Sequence, residues 1–454
     1  MDALHVDGGV PLTGTIIAEG SKNAALPILA ACLAIDGTTR LTRVPRLGDV
    51  ATMRRLLQLC GAEIIEAQAG ALSIRVDESC CTTAPQELVR RMRASVCVLG
   101  PLLARFGTAR VPLPGGCQIG HRPIDIHLRG LAALGADFRL EAGDVVATAR
   151  QLRGAHISLA GIHGSTVTGT CNVMTAAALA QGRSVLTSAA REPEVVELGR
   201  FLNAAGAKIS GLGSSVIEIE GVESLHSVSH ELPSDRIEVA TLAIAAVITR
   251  GDVTIANAPV REMTAVLAAL DELGATVSTD EHGLRCRVTG ALRPIRLKAE
   301  PYPGLPTDVQ APFTSLFATI PGESIITDMV FPDRFMHVAE LSRMGADIRV
   351  SGNTLNVRGQ QSLSGAAVHA TELRGGAALV LAGLAAAGET DVSNIEHIDR
   401  GYCSIESTLS QLGARIARQS APAGSVRIPV PHIAIDATGE SEESVEMRLV
   451  EQRR

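Results

Sequence analysis

Six times along this 454-residue chain a helix-like segment ends in Gly-Ala and runs directly into an alternating, strand-like stretch. The pairs are Gly61-Ala62, Gly135-Ala136, Gly206-Ala207, Gly274-Ala275, Gly345-Ala346 and Gly413-Ala414, at spacings of 74, 71, 68, 71 and 68 residues. A glycine just past a helix can take a positive φ and let the chain cap the last carbonyls. One such pair means little, whereas six at a near-constant period describe one structural unit copied six times. Helical patterns at 50–59, 125–134, 195–204, 260–273, 333–344 and 401–412 alternate with β-type patterns such as Ala346-Asp347-Ile348-Arg349-Val350. This alternation predicts an α/β class with helices packed on sheets.

A chain of this length exceeds one hydrophobic core, so two domains of three units each are expected. The crossing falls near Glu231-Leu232-Pro233-Ser234-Asp235. A strand at 5–10 precedes the first full unit and could belong to either domain. After Arg418 the pattern stops, and 420–454, with its run Glu440-Ser441-Glu442-Glu443, reads as a mobile tail.

Composition narrows the function classes. A net charge of −7 excludes a broad basic nucleic-acid footprint. No stretch approaches the ~20 apolar residues of a membrane span, and Met1-Asp2-Ala3 opens without a signal-peptide pattern. The nine cysteines are scattered, with no Cys-x-x-Cys or His-Cys metal spacing, as expected of reduced thiols in a cytoplasmic protein. With no Trp and two Tyr, aromatic stacking on bases or sugars has little part. Lysine occurs three times (22, 208 and 298) against 38 arginines, which makes Lys22 a rare residue type in its context.

Chemistry is expected where the repeat is broken. In Glu19-Gly20-Ser21-Lys22-Asn23-Ala24-Ala25-Leu26-Pro27 a glycine turn opens a helix. Asn23 is a good N-cap, and Pro27 then falls in the tolerated first turn. Backbone N–H groups, the helix dipole and Lys22 converge there, which suits a phosphate or carboxylate, although a solvated cap with a surface lysine has the same pattern. A second break, the irregular loop 110–122, contains Pro114-Gly115-Gly116-Cys117 and then His121-Arg122. The two basic neighbours could poise the Cys117 thiol as a nucleophile or acid. In a third, Tyr302-Pro303-Gly304-Leu305-Pro306-Thr307-Asp308 sets a carboxylate at a helix start, either as a cap or as a catalytic group. Arg334, Arg374 and Arg400 recur where strands pass into helices. Cations converging from equivalent repeats would suit a polyanionic substrate.

At these residues the chain resembles the enolpyruvyl transferase family, in the branch whose acceptor is UDP-N-acetylglucosamine. The resemblance spans 5–418 and rests on Gly20-Ser21-Lys22-Asn23-Ala24-Ala25, Met92-Arg93-Ala94-Ser95, Pro114-Gly115-Gly116-Cys117 through Arg122-Pro123, Ala190-Arg191-Glu192-Pro193-Glu194, Pro306-Thr307-Asp308, Arg334-Phe335-Met336-His337-Val338 and His397-Ile398-Asp399-Arg400-Gly401-Tyr402. It implies two inside-out α/β barrels, each of three units about a pseudo-threefold axis. One would be 22–232 with the Cys117 loop, the other 1–21 plus 233–419 with Asp308, leaving 420–454 outside. The implied reaction transfers the enolpyruvyl group of phosphoenolpyruvate to the 3′-hydroxyl of UDP-N-acetylglucosamine and releases phosphate, the first committed step of peptidoglycan precursor synthesis. The implied partners are these two small molecules alone, in the cytoplasm, with no metal or other cofactor, no nucleic acid and no membrane.

By the same resemblance, Lys22 and Asn23 bind phosphoenolpyruvate, Arg122 and Arg400 hold its phosphate and carboxylate, and Arg334 and Arg374 line the substrate site. Cys117 acts as general acid toward C3 of the donor, and Asp308 takes the sugar hydroxyl proton. Phosphate then leaves with help from Lys22 and the arginines. Arg93, Arg122, Pro123, Ile124, Asp125, Ile126 and Val330 match nucleotide-sugar contacts, as does the stretch Gly164-Ser165-Thr166-Val167. Gly164 and Thr166 stand where some relatives carry lysine and serine, and Gly48 where some carry a basic residue. The competing expectations are a 5-enolpyruvylshikimate-3-phosphate synthase, which lacks the Pro-Gly-Gly-Cys loop, a catalytically silent nucleotide-sugar-binding protein on the same scaffold, and a transferase serving a specialised nucleoside pathway.

Overall fold

The six helix ends share one hydrogen-bonding pattern in the computed structural model, which describes residues 2–68, 70–115, 124–162, 164–281, 283–360 and 362–420. Gly61, Gly135, Gly206, Gly274, Gly345 and Gly413 all have φ between 88° and 105°. Each glycine N–H donates to the carbonyl three residues back. The following alanine N–H donates at 2.9–3.2 Å to the carbonyl of a leucine: Leu57, Leu131, Leu202, Leu270, Leu341 or Leu409. All six leucines and all six alanines are buried. The cap thus satisfies carbonyls that the helix leaves open and seats one alanine in the core as the chain turns into a strand.

Those strands are Glu63–Gln68, Asp137–Glu141, Lys208–Ser210, Thr276–Asp280, Asp347–Ser351 and Arg415–Ser420, each at the edge of its own small sheet. Among the described residues five of the sheets have four strands and that of Asp137–Glu141 has three. The chain is therefore mixed α/β. Its N-terminal strands join distant partners: Thr13–Ile17 runs parallel to Asp252–Ala256, and Asp2–Asp7 antiparallel to Glu389–Ser393. The first strand stops at Asp7, short of the expected residue 10. At Gly8 the backbone passes so close to a helix end that a Cβ would lie 2.2 Å from the Ala386 carbonyl oxygen.

Met1–Gln419 form one compact unit. Its apolar interior gathers in two clusters, one from residues 24–232 and one from 4–18 together with 237–414. Helices Lys22–Ala31 and Val167–Ala178 in the first, and Arg236–Ile248, Gln310–Ala318 and Leu373–Ala385 in the second, are buried on almost every face. A helix apolar all round belongs in an interior, which explains their Ala- and Leu-rich sequences. The chain passes between the clusters twice. Its two crossings are tied by Ser21 N–H to the Pro233 carbonyl (2.7 Å), Asp235 N–H to the Glu19 carbonyl (2.9 Å) and Lys22 N–H to the Asp235 carboxylate (3.0 Å).

Several local expectations are corrected. The cap of the first helix is Ser21, whose Oγ accepts from Ala24 N–H at 3.2 Å, so Lys22 and Asn23 are already helical. Pro27 lies inside Lys22–Ala31, two residues beyond Ala25, whose N–H closes the first turn on the Ser21 carbonyl. The helices expected at 333–344 and 401–412 are only His337–Arg343 and Ile405–Gln411. Turns at 331–335 precede the former, and Ser404 at φ 49° precedes the latter. Similarly, a 3₁₀ turn Val260–Glu262 precedes Thr264–Leu273. The loop expected from 110 begins later, because Thr108–Pro112 is a strand paired with Asp144–Thr148. Cys117, Arg122, Pro123 and the tail after 420 lie outside the described residues.

Candidate active site

A cavity of about 730 Å³ draws its walls from both apolar clusters. Lys22, Asn23, Arg93, Asp125, Ile126, Gly164, Ser165, Thr166, Val167, Asp308, Val330, Arg334, Arg374 and Arg400 all line it. Ile124 is buried beside it without lining it.

Two carboxylates organise the cations. The Asp49 carboxylate, at the start of Gly48–Leu59, accepts from Lys22 Nζ at 2.8 Å and from Arg400 Nε at 2.8 Å. Asp308 accepts from Arg334 Nη1 at 2.7 Å and from Arg374 Nη2 at 3.3 Å. Arg334 also reaches Glu372 Oε2 at 3.3 Å. Glu372 in turn caps Leu373–Ala385 through the backbone N–H groups of Arg374 and Gly375, and this fixes Arg374 in the first helical turn. Arg334 reaches the cavity because the turn at 331–335 points it inward, and Arg400 because it closes the short helix Glu396–Asp399. Arg400 thus lies between the strand Glu389–Ser393 and the helix Ile405–Gln411, as the sequence suggested, with a short helix inserted just before it.

The hub holds four cations, Lys22, Arg334, Arg374 and Arg400, against three carboxylates, Asp49, Asp308 and Glu372. Lys22, Arg334 and Arg374 are at most 7 % exposed, so these charges have little water to solvate them. Burial pushes Asp308 up, but Arg334 and Arg374 outweigh it and hold the carboxyl well below the usual carboxylate range. Burial lowers Lys22, and the Arg374 and Arg400 guanidiniums add to that, while Asp49 opposes both. Asp49 is itself below its ordinary value, because Lys22 and Arg400 overcome its burial. The cations thus outweigh burial at both Asp308 and Asp49, and several of them converge in one cavity, a setting that suits an anion.

Around this hub lies a second wall. Glu194 accepts two bonds from Arg236 (3.2 and 3.1 Å), and the Arg236 guanidinium stands 5.8 Å from the Tyr302 ring centroid. Glu192 accepts from Tyr302 N–H at 3.4 Å, tying the Ala190–Glu194 stretch to the turn that carries Asp308. Thr307 donates to Asp328, whose other oxygen accepts from Val330 and Phe331 N–H, so this one carboxylate shapes that edge of the cavity. The ribbon of Ala160–Gly161 and Gly164–Ser165 also lines the cavity and carries Ile162, 93 % exposed, at its tip.

Asp49, Glu372, Arg236, Glu194 and Glu192 were not among the expected site residues. A signal existed for two of them: Asp49 and Glu194, like Glu262 and Asp333, stand twelve residues before the glycine that ends their unit's helix. Among the described residues no His/Cys/Asp/Glu group could hold a metal ion, and no helix is long and apolar enough to cross a membrane.

Residues 6–409 match the family described as EPSP synthase (3-phosphoshikimate 1-carboxyvinyltransferase). The chain is 49 % identical over 423 residues to a UDP-N-acetylglucosamine 1-carboxyvinyltransferase of Myxococcus xanthus, covering 93 % of this chain and 100 % of that one. It is 50 % identical over 425 residues to a protein of the same name from an Anaeromyxobacter species, again covering 93 % and 100 %. Among solved structures, the enolpyruvyl transferase NikO from Streptomyces tendae superimposes with a TM-score of 0.83 at 27 % identity, covering 93 % of this chain and 99 % of that one. With a family match over most of its length and relatives near half identity end to end, the chain belongs to the EPSP synthase family, among its UDP-N-acetylglucosamine 1-carboxyvinyltransferases.

Proposed function

We propose that this protein transfers the enolpyruvyl group of phosphoenolpyruvate to the 3′-hydroxyl of UDP-N-acetylglucosamine, releasing phosphate and opening peptidoglycan precursor synthesis. One observation carries the proposal: Lys22, Arg334, Arg374 and Arg400 converge on Asp308 and Asp49 inside one cavity, which suits a small polyanionic donor beside a carboxylate that can take a proton. Lys22, Asn23 and Arg400, with Arg122, hold the donor's phosphate and carboxylate. Cys117 delivers a proton to C3, the sugar hydroxyl attacks C2, and Asp308 accepts the hydroxyl proton. Asp308 is a weak base while two guanidiniums grip it. A donor anion that shares Arg374 loosens that grip and raises its basicity. C3 of the resulting intermediate then returns a proton to the Cys117 thiolate as the C2–O bond to phosphate breaks, which restores the vinyl group, and Lys22 and the arginines stabilise the departing phosphate.

Arg93, Pro123, Ile124, Asp125, Ile126, Val330 and residues 164–167 are the acceptor's contacts. The scaffold is read as two inside-out barrels of three units each, 22–232 and 1–21 plus 233–419. Support comes from the two apolar clusters, the central all-apolar helices and the outer small sheets. Phosphate release from phosphoenolpyruvate, assayed with UDP-N-acetylglucosamine and separately with shikimate 3-phosphate, tests the function. Release is expected with the sugar nucleotide alone; release with the shikimate, or with neither, would refute it.

A further inference from the structure

Asp49 belongs to none of the motifs that carry the family resemblance, yet it is the most heavily engaged carboxylate on the Lys22 side of the cavity. It is 4 % exposed and accepts from Lys22 Nζ through Oδ2 and from Arg400 Nε through Oδ1, both at 2.8 Å; Arg400 Nη2 also lies 3.4 Å from Oδ2. Lys22 opens a helix of the first apolar cluster, whereas Arg400 comes from the second. One carboxylate thus fixes the separation of two cations that belong to different parts of the core.

We propose that Asp49 is the positioning residue of the donor-anion site, holding Lys22 charged and Arg400 aimed into the cavity before any substrate arrives. The groups facing Lys22 explain why such a residue is needed. Arg374 and Arg400 bear on it as cations, Asp49 and Asp308 as anions, and Asp235 is committed to its backbone N–H. With Asp49 neutralised, burial and two guanidiniums act on the ammonium with one carboxylate fewer to oppose them, and Asp308 is itself gripped by Arg334 and Arg374. Lys22 then holds its proton less firmly, and Arg400 loses its bonds to Asp49.

The inference rests on the cavity being a phosphoenolpyruvate site, and its test separates the two ideas. Asp49→Asn keeps the shape and removes the charge. The KM for phosphoenolpyruvate should rise about 10- to 100-fold near neutral pH, the size expected for losing a buried charge-assisted contact. That rise should steepen with pH relative to the parent, while the KM for UDP-N-acetylglucosamine stays within about twofold. Asp49→Glu should restore the parent's pH profile. Without any substrate, acylation by acetic anhydride, read by mass spectrometry, should label Lys22 faster in Asp49→Asn than in the parent. The exposed Lys208 and Lys298 serve as internal references. An unchanged donor KM with the parent's pH profile, or a Lys22 labelling rate equal to the parent's, overturns the proposal. A parent that releases no phosphate refutes the functional reading instead, and the labelling comparison still decides the role of Asp49.

Discussion

At the scale of single residues, the site is a balance of buried charges, and Asp308 is where that balance meets chemistry. Its carboxylate makes bonds to Arg334 and Arg374, so the possibility that it merely caps the helix Gln310–Ala318 is set aside by geometry. Replacing it with Asn keeps the shape and removes the proton acceptor. We expect turnover to fall about 10²- to 10⁴-fold, the usual worth of an acid–base group, with donor binding largely retained because the arginines stay. Steady-state kinetics decide the matter: a variant within a few-fold of the parent would leave Asp308 as an anchor for arginines only. Lys22 and Asp308 were legible in the sequence because they interrupt a repeat, and the three arginines because they recur at corresponding places in it. Asp49 shares its repeat position with Glu194, Glu262 and Asp333, but an acid at the start of a helix is commonplace and only the fold reveals that its partners are Lys22 and Arg400.

Among the elements, the glycine caps are the part read most directly from sequence. The positive φ at all six glycines follows from what a Gly-Ala boundary between a helix and a strand demands. Helix starts were less legible, because residues such as Arg334 and Arg400 are drawn toward Asp308 and Asp49, and the backbone around them adopts turns that no propensity specifies. Gly345 tests the caps in isolation. Its φ is 88° and, apart from its chain neighbours, nothing lies within 4 Å of where a Cβ would stand. Gly345→Ala should therefore cost about 1 kcal/mol through backbone strain alone, with Gly345→Asn costing less. Chemical denaturation measures both, and an Ala variant as stable as the parent would mean that the left-handed cap contributes nothing.

For the whole molecule, pH links the core to the crossings between the two clusters. Glu238 is buried with its Oε2 accepting from Glu19 N–H at 2.9 Å, and burial followed by the nearby Asp235 raises it from 4.5 to about 8. A carboxyl raised in the folded state keeps a proton that the unfolded chain gives up, so stability falls as pH climbs from 4.5 to 8. His337 runs the other way: burial lowers it from 6.5 to about 4, so stability falls as pH drops through that window. The two oppose each other below 6.5, and above it Glu238 acts with His5, which Asp391 raises above its ordinary value. Thermal melting should show Tm declining between pH 6.5 and 8, and Glu238→Gln should flatten that decline. An identical slope in the variant would remove Glu238 from the account.

Two apolar clusters walling one cavity make sense for a molecule that joins two anionic substrates, and the account turns on what leaves that cavity. Phosphoenolpyruvate labelled with ¹³C in its vinyl carbons, incubated with UDP-N-acetylglucosamine and the purified protein, can be followed by NMR. The label should appear in a vinyl ether on the 3′-oxygen of the sugar, with one phosphate released per ether formed, and Asp308→Asn should all but abolish it. Label that stays in phosphoenolpyruvate, or that appears on any other acceptor atom, would contradict the assignment.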